Sequence, residues 1–256
     1  MQDVSVIRDG RAILGPITWS VSAGERWVVL GPNGAGKSTL FALAGSLIHP
    51  STGGISILGS RMGSTDVFEL RPRIGITSHT IVEMIPPDER VLDLVMTSAY
   101  AIAGRWRESY DLWDESRALS LLLALGIREL KERAFATLSE GEKKRALIAR
   151  ALMPNPEILL LDEPAAGLDL GGREDLLRRL SALAKDPKSP STIIITHHVE
   201  EIPLGTTHCL LLSEGKVVAQ GEMSSVLTSV NLSTAYKIDV EVIEEGGRFF
   251  ARSIER

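Results

Sequence analysis

The sequence predicts an α/β fold in which a mainly parallel sheet is covered by helices, with an antiparallel β layer at its N-terminal end and an inserted helical subdomain. Two observations carry this reading. Short, continuously apolar runs at Arg26–Leu30, 158–161 and 192–195 alternate with segments of helical spacing, as expected of parallel strands buried on both faces. From residue 88 to 134 the pattern turns wholly helical, with Val91, Leu92, Val95 and Ala99 on one face and Leu119, Leu122 and Leu123 on a second segment.

Taken in order, residues 4–7, 17–21 and Arg26–Leu30 read as strands separated by turn signals at Asp9-Gly10, Gly15-Pro16 and Ala23-Gly24. A glycine-rich loop follows, then a helix over 38–47 that ends near His49-Pro50. Residues 53–58 and 73–77 are further strands, with a polar stretch, 59–65, between them. Beyond the helical region, a helix over 142–152 precedes the strand 158–161, and a helix over 173–184 precedes the strand 192–195. Two hairpins close the chain: 209–212 with 216–219, and 237–243 with 248–254 across Gly246-Gly247.

The 256 residues suit one α/β domain with a small appended subdomain, and 44% apolar with 24% charged residues is ordinary globular composition. A net charge of −5 argues against nucleic acid as the main partner. The single cysteine, Cys209, lies in an apolar run and reads as a buried thiol in a reducing compartment. The first ten residues lack a basic region and a long apolar core, so no export signal is expected. No apolar run approaches the ~18 residues of a membrane span, so any work at a membrane falls to a partner.

Gly31-Pro32-Asn33-Gly34-Ala35-Gly36-Lys37-Ser38 fits G-x-x-x-x-G-K-[ST] between a strand and a helix, the context of a phosphate loop. Its glycines let backbone N–H groups surround anionic oxygens, and the helix beginning near Lys37 points its positive end at them. Lys37 adds a charge at the β- and γ-phosphates, and Ser38 a hydroxyl for Mg²⁺. Later, the buried strand 158–161 runs into Asp162 and Glu163. There Asp162 can reach the metal and Glu163 can polarise a water for in-line attack.

Leu138-Ser139-Glu140-Gly141-Glu142 and Ala165-Ala166-Gly167-Leu168-Asp169 complete the pattern. With them the chain resembles the ABC ATPase family over nearly its whole length, standing where that family has its signature and D-loop, with His197 at the switch histidine. The resemblance implies a P-loop NTPase (RecA-like) core in one ABC ATPase domain over 1–256. Its parts are a β layer with the phosphate loop and its helix at 1–78, a helical subdomain at 79–137, a signature and catalytic core at 138–220, and a helix and hairpin at 221–256. It further implies a head-to-tail homodimer, in which Ser139 and the N–H of Gly141 bind the γ-phosphate held by the opposite copy. Glu163, His197 and Lys37 are then catalytic. ATP is bound by Arg8, Gly31, Pro32, Asn33, Gly34, Ala35, Gly36, Lys37, Ser38, Thr39, Ser139, Gly141 and Asp169. Mg²⁺ falls to Ser38, Asp162 and His79.

Four positions depart from the family pattern. Glu140 replaces a glycine and Glu142 a glutamine, and their charge opposes phosphate binding unless the side chains point away. Arg8 stands where an aromatic residue stacks on adenine, a role a guanidinium plane can share. His79 replaces the Q-loop glutamine, although imidazole prefers softer metals than Mg²⁺. By family analogy, residues 81–87 followed by 88–104, with Tyr100, Trp106, Tyr110 and Trp113 near the end, form the partner-facing groove, and such aromatics fit the core of the helical subdomain equally well; Trp19 and Trp27 read as core. The helical region and the tail from Leu232 look most like subunits for metal-chelate or molybdate uptake. The expected function is therefore the ATPase subunit of a transporter, cytoplasmic and peripheral on the inner membrane face through separate permease subunits. The alternative is a soluble ABC ATPase acting on a ribosome, nucleic acid or an assembly scaffold. The sequence has one phosphate loop, no sustained heptads and no guanine-reading Asn-Lys-x-Asp run.

Overall fold

Val4, Val6, Leu14 and Ile17 are buried between exposed neighbours, and this alternation sets two strands, β1 (Gln2–Arg8) and β2 (Arg11–Ile17), against the core. The computed structural model describes residues 1–64, 66–98 and 112–254, except for the side chains of residues 79 and 80. β3 (Arg26–Leu30) enters the main sheet and feeds α1 (Lys37–Ala44), after which β4 (Thr52–Gly54) returns to pair antiparallel with β1. The expected strand at 53–58 breaks at Ile55 and stops after Ile57, where Leu58 and Gly59 both take positive φ, 51° and 80°. They turn β5 (Ser56–Ile57) into β6 (Ser60–Arg61), inside the stretch expected to be irregular.

The second strand also differs from expectation. Gly15-Pro16, read as a turn, lies within β2, where the pairing with β1 carries register shifts. An added Cβ on Gly15 would meet the Val4 carbonyl at 2.2 Å, so the glycine marks a close approach rather than a chain reversal. Residues 18–21 lie outside the strand, with Trp19 edge-on to Trp27 at 5.5 Å in the core, as expected of both indoles.

After α2 (Val67–Leu70) comes β7 (Ile74–Thr77), then the helical region: α3 (His79–Glu83), α4 (Val91–Thr97) and α5 (Leu112–Ala124). α6 (Glu140–Leu152), β8 (Ile158–Asp162), α7 (Leu170–Lys185) and β9 (Ser191–Ile195) follow. β10 (His208–Ser213) and β11 (Lys216–Glu222) form a hairpin. α8 (Met223–Val226), α9 (Ser229–Tyr236), β12 (Val240–Glu245) and β13 (Arg248–Ser253) end the chain.

The six-stranded sheet runs β11-β10-β3-β9-β8-β7, all parallel except the edge strand β11. Successive residues alternate between its faces. Leu159, Leu161 and Ile194 pack with Leu147, Ile148, Leu176 and Leu180 of α6 and α7, while Leu160, Ile193 and Ile195 pack with Leu40, Phe41 and Leu43 around α1. Each such side chain contributes roughly 1.5–3 kcal/mol by leaving water. Val28, Leu30, Cys209 and Leu211 face the C-terminal helices, and burial pushes the Cys209 thiol up to about 12. Because the inner strands are parallel, the chain leaves β3, β8 and β9 at one end of the sheet, and the candidate residues gather there.

Candidate nucleotide site

The loop after β3 is shaped by glycines with positive φ, a conformation that disfavours a side chain. Gly31 has φ 152°, and a Cβ there would meet the Leu212 carbonyl at 2.2 Å. Gly36 caps α1 at φ 95° with no side-chain hydrogen bond to the helix, so the first N–H groups of α1 remain for an anion. Lys37 folds back over this loop, its buried Nζ donating to the carbonyls of Gly31 at 2.7 Å and Pro32 at 2.9 Å. Burial pulls the Lys37 pKa below its usual range, and the charges of Glu163 and Asp162 partly oppose this.

Those two carboxylates lie where β8 ends. Glu163 takes a left-handed φ of 45°, its N–H donating to Ile195 O on β9 at 2.9 Å. Next to it, Thr196 N donates to Val29 O at 3.2 Å, tying the end of β9 to β3. His197 thereby emerges beside Glu163, with Nδ1 3.0 Å from Glu163 Oε1. The Tyr236 hydroxyl of α9 donates to the His197 carbonyl at 3.1 Å, and burial pushes this phenol up to about 12. A cleft of about 550 Å³ opens here, lined by Ser38, Thr77, Asp162, Glu163 and Gly167 together with Lys144 of α6. The Ser38 hydroxyl and the Asp162 carboxylate are hard oxygen donors, which suits Mg²⁺.

Ser139 is the N-cap of α6. Its hydroxyl accepts from Glu142 N at 3.4 Å, and Glu142 Oε2 accepts from Ser139 N at 2.7 Å, a complete capping box. The Ser139 N–H holds the Glu142 carboxyl below the usual carboxylate range, so the charge that seemed to oppose phosphate is engaged within its own helix end. Glu140 accepts from Lys143 Nζ at 2.8 Å. Asp169 likewise caps α7, accepting from Gly172 N at 2.7 Å, and both Ser139 and Asp169 are exposed.

A family model described as ABC transporter matches residues 14–166 of the 256. The chain belongs to the ABC transporter family. It is 38% identical over 256 residues, covering 100% of this chain and 97% of the other, to the uncharacterized ABC transporter ATP-binding protein YlmA of Bacillus subtilis (strain 168). It also resembles a chain of an ABC transporter classed as metal-chelate type in an inward-facing conformation, at TM-score 0.76 and 25% identity over 99% of this chain and 95% of that one. CbiO1 from Clostridium perfringens, part of the ABC transporter complex CbiONQ, matches at TM-score 0.77 and 29% identity, covering 91% of each chain. The chain is thus an ATP-binding, ATP-hydrolysing subunit of the ABC type.

Within this ABC subunit, the fold brings Lys37, Ser38, Asp162, Glu163 and His197 to one end of the sheet. The side chains of Ser139 and Asp169 instead bond within their own helix ends and face solvent. Arg8 lies at the exposed end of β1, paired with Arg11 across the turn. His79 opens α3 directly after β7, and its side chain lies outside the described residues, as do Tyr100, Trp106 and Tyr110. Trp113 is 83% exposed near the start of α5. Sequence reasoning missed Lys144 and Tyr236. Lys144 stands in a run, Lys143-Lys144-Arg145, that reads as a solvated helix face, and Tyr236 carries no motif; only the tertiary fold brings them to the site.

Proposed function

We propose that this chain binds MgATP between its own phosphate loop and the signature of a second copy, and that hydrolysis at two such sites drives a separately encoded membrane permease. The contact between Glu163 and His197, beside the loop held by Lys37, carries this reading. Backbone N–H groups of residues 33–39 cradle the phosphates, with Lys37 as point charge. Glu163 accepts the proton of the attacking water, and His197 orients both that carboxylate and the γ-phosphate. Ser38 and Asp162 hold Mg²⁺, which when bound neutralises charge on the β- and γ-oxygens. Arg8 lies against the base, and Asp169 together with Ser139 and the N–H of Gly141 complete the site in the partner copy. Residues 1–256 act as one ATPase domain with the divisions given above.

No described helix is long and apolar enough to cross a membrane, which is consistent with attachment to the inner membrane face through the permease. The structural likeness to a metal-chelate type transporter favours uptake of a chelated metal or a related oxyanion. Glu163→Gln tests the shared site. With ATP and Mg²⁺ its light-scattering mass should double while phosphate release falls on the order of 10²-fold or more. A mass that stays monomeric overturns the reading.

A further inference from the structure

Lys144 lies five residues beyond Ser139 on α6, about 7.5 Å along the helix axis. Its half-buried Nζ donates to the main-chain carbonyl of Glu163 at 2.8 Å. Three polar contacts fix the peptide groups flanking this residue: Glu163 N to Ile195 O at 2.9 Å, Ala166 N to Glu163 O at 3.2 Å, and the Lys144 bond. They hold a non-glycine residue at φ 45°, a conformation that persists only where its surroundings over-determine it. Of the three, the Lys144 bond alone comes from outside the strand ends and the turn that follows them. Burial pulls the Lys144 pKa below its usual range, and the charges of Glu201, Glu163, Glu140 and Asp162 partly oppose this.

We propose that Lys144 is a positioning residue for the general base of its own site, and that through α6 it links that base to the triphosphate gripped by Ser139 in the opposite site. This rests on the reading of Glu163 and Ser139 given above. Docking of Ser139 onto the partner's nucleotide moves the helix that carries Lys144, and the Glu163 carbonyl moves with it. The carboxylate reaches its place against His197 only when that backbone is held. The same helix therefore ties each copy's own base to its grip on the neighbour's ATP.

The test uses Lys144→Met, which keeps the aliphatic stem and loses the donor. Turnover should fall about tenfold or more with KM for ATP within about twofold, and Lys144→Arg should recover most of the loss. ATP-driven doubling of mass should persist; its loss overturns the proposal, because positioning one carbonyl leaves dimerisation intact. Mixed dimers separate the two sites. A Lys144→Met chain paired with a Glu163→Gln chain leaves one working base, in the chain lacking Lys144, and should be slow. A chain carrying both substitutions, paired with an unaltered chain, leaves the working base beside an intact Lys144 and should run near the one-site rate. Equal rates for the two pairings overturn the proposal. A Glu163→Gln homodimer run alongside reports on the base itself: native turnover there would sink the Glu163 assignment whatever Lys144 does.

Discussion

Glu163 and His197, 34 residues apart in the chain, meet at 3.0 Å because their strands β8 and β9 are parallel neighbours. The imidazole restrains the carboxylate without belonging to the phosphate loop. His197→Ala should therefore keep ATP affinity within about threefold while turnover falls on the order of 10²-fold. Equilibrium nucleotide binding set against steady-state phosphate release at saturating ATP checks this, and a loss of affinity with turnover unchanged would place His197 in uniform binding.

Ser139 caps α6 and, in the proposed dimer, meets the partner's nucleotide. Replacing it by Arg removes the cap, costing about 1 kcal/mol. The larger effect is on assembly: in the Glu163→Gln background, ATP should no longer double the light-scattering mass, while ATP binding to the monomer persists.

Glu142 should make stability depend on acid. The Ser139 N–H lowers its folded pKa below the unfolded value of 4.5, so the folded chain binds that proton less tightly than the unfolded chain. The contribution is present above about pH 4.5 and is lost as pH falls through the folded pKa. Glu142→Gln, which keeps a capping acceptor, should flatten this part of the profile when Tm is measured between about pH 3 and 6; an unchanged slope would assign the acid sensitivity elsewhere.

Gly31 and Gly34 both have positive φ, 152° and 79°, yet differ in surroundings. A Cβ at 31 collides with the Leu212 carbonyl, whereas one at 34 meets nothing within 4 Å. Urea unfolding should show Gly31→Ala losing roughly 3 kcal/mol or more, and Gly34→Ala about 1 kcal/mol. The order of the two losses is the test.

Cys209 should resist iodoacetamide in the folded chain, since burial keeps the thiol protonated up to about 12. In denaturant, one alkylation per chain should appear by mass spectrometry. From pH 9 upward the unfolded thiol, with its ordinary value of 9.0, ionises first, so this group withdraws stability as pH rises toward 12.

The site was legible in the sequence where its chemistry is contiguous. The phosphate loop, Asp162-Glu163 and His197 each follow an apolar strand, and parallel pairing of those strands suffices to bring them together. Less legible were features set by a distant contact. Gly15-Pro16 looks like a turn until β1 is laid against it, and Leu58-Gly59 reverses the chain although leucine rarely adopts positive φ. Glu142 read as a repulsive charge because its capping bond needs the helix to start at Glu140 with Ser139 as N-cap, two residues earlier than the apolar spacing indicated. Among the described residues, the region predicted as helical between 88 and 134 holds α4 and α5, with a short 3₁₀ turn at Arg128–Leu130 that spacing alone cannot separate from helix.

An ammonium offers three protons, and two of those on Lys37 are already given to the carbonyls of Gly31 and Pro32. The lysine is thus a strut of the loop as well as, in the proposed function, a charge facing the phosphates. Removing it slackens the cradle before any nucleotide arrives, so a Lys37 variant reports the sum of a missing charge and a misshapen receptacle, and cannot by itself apportion them.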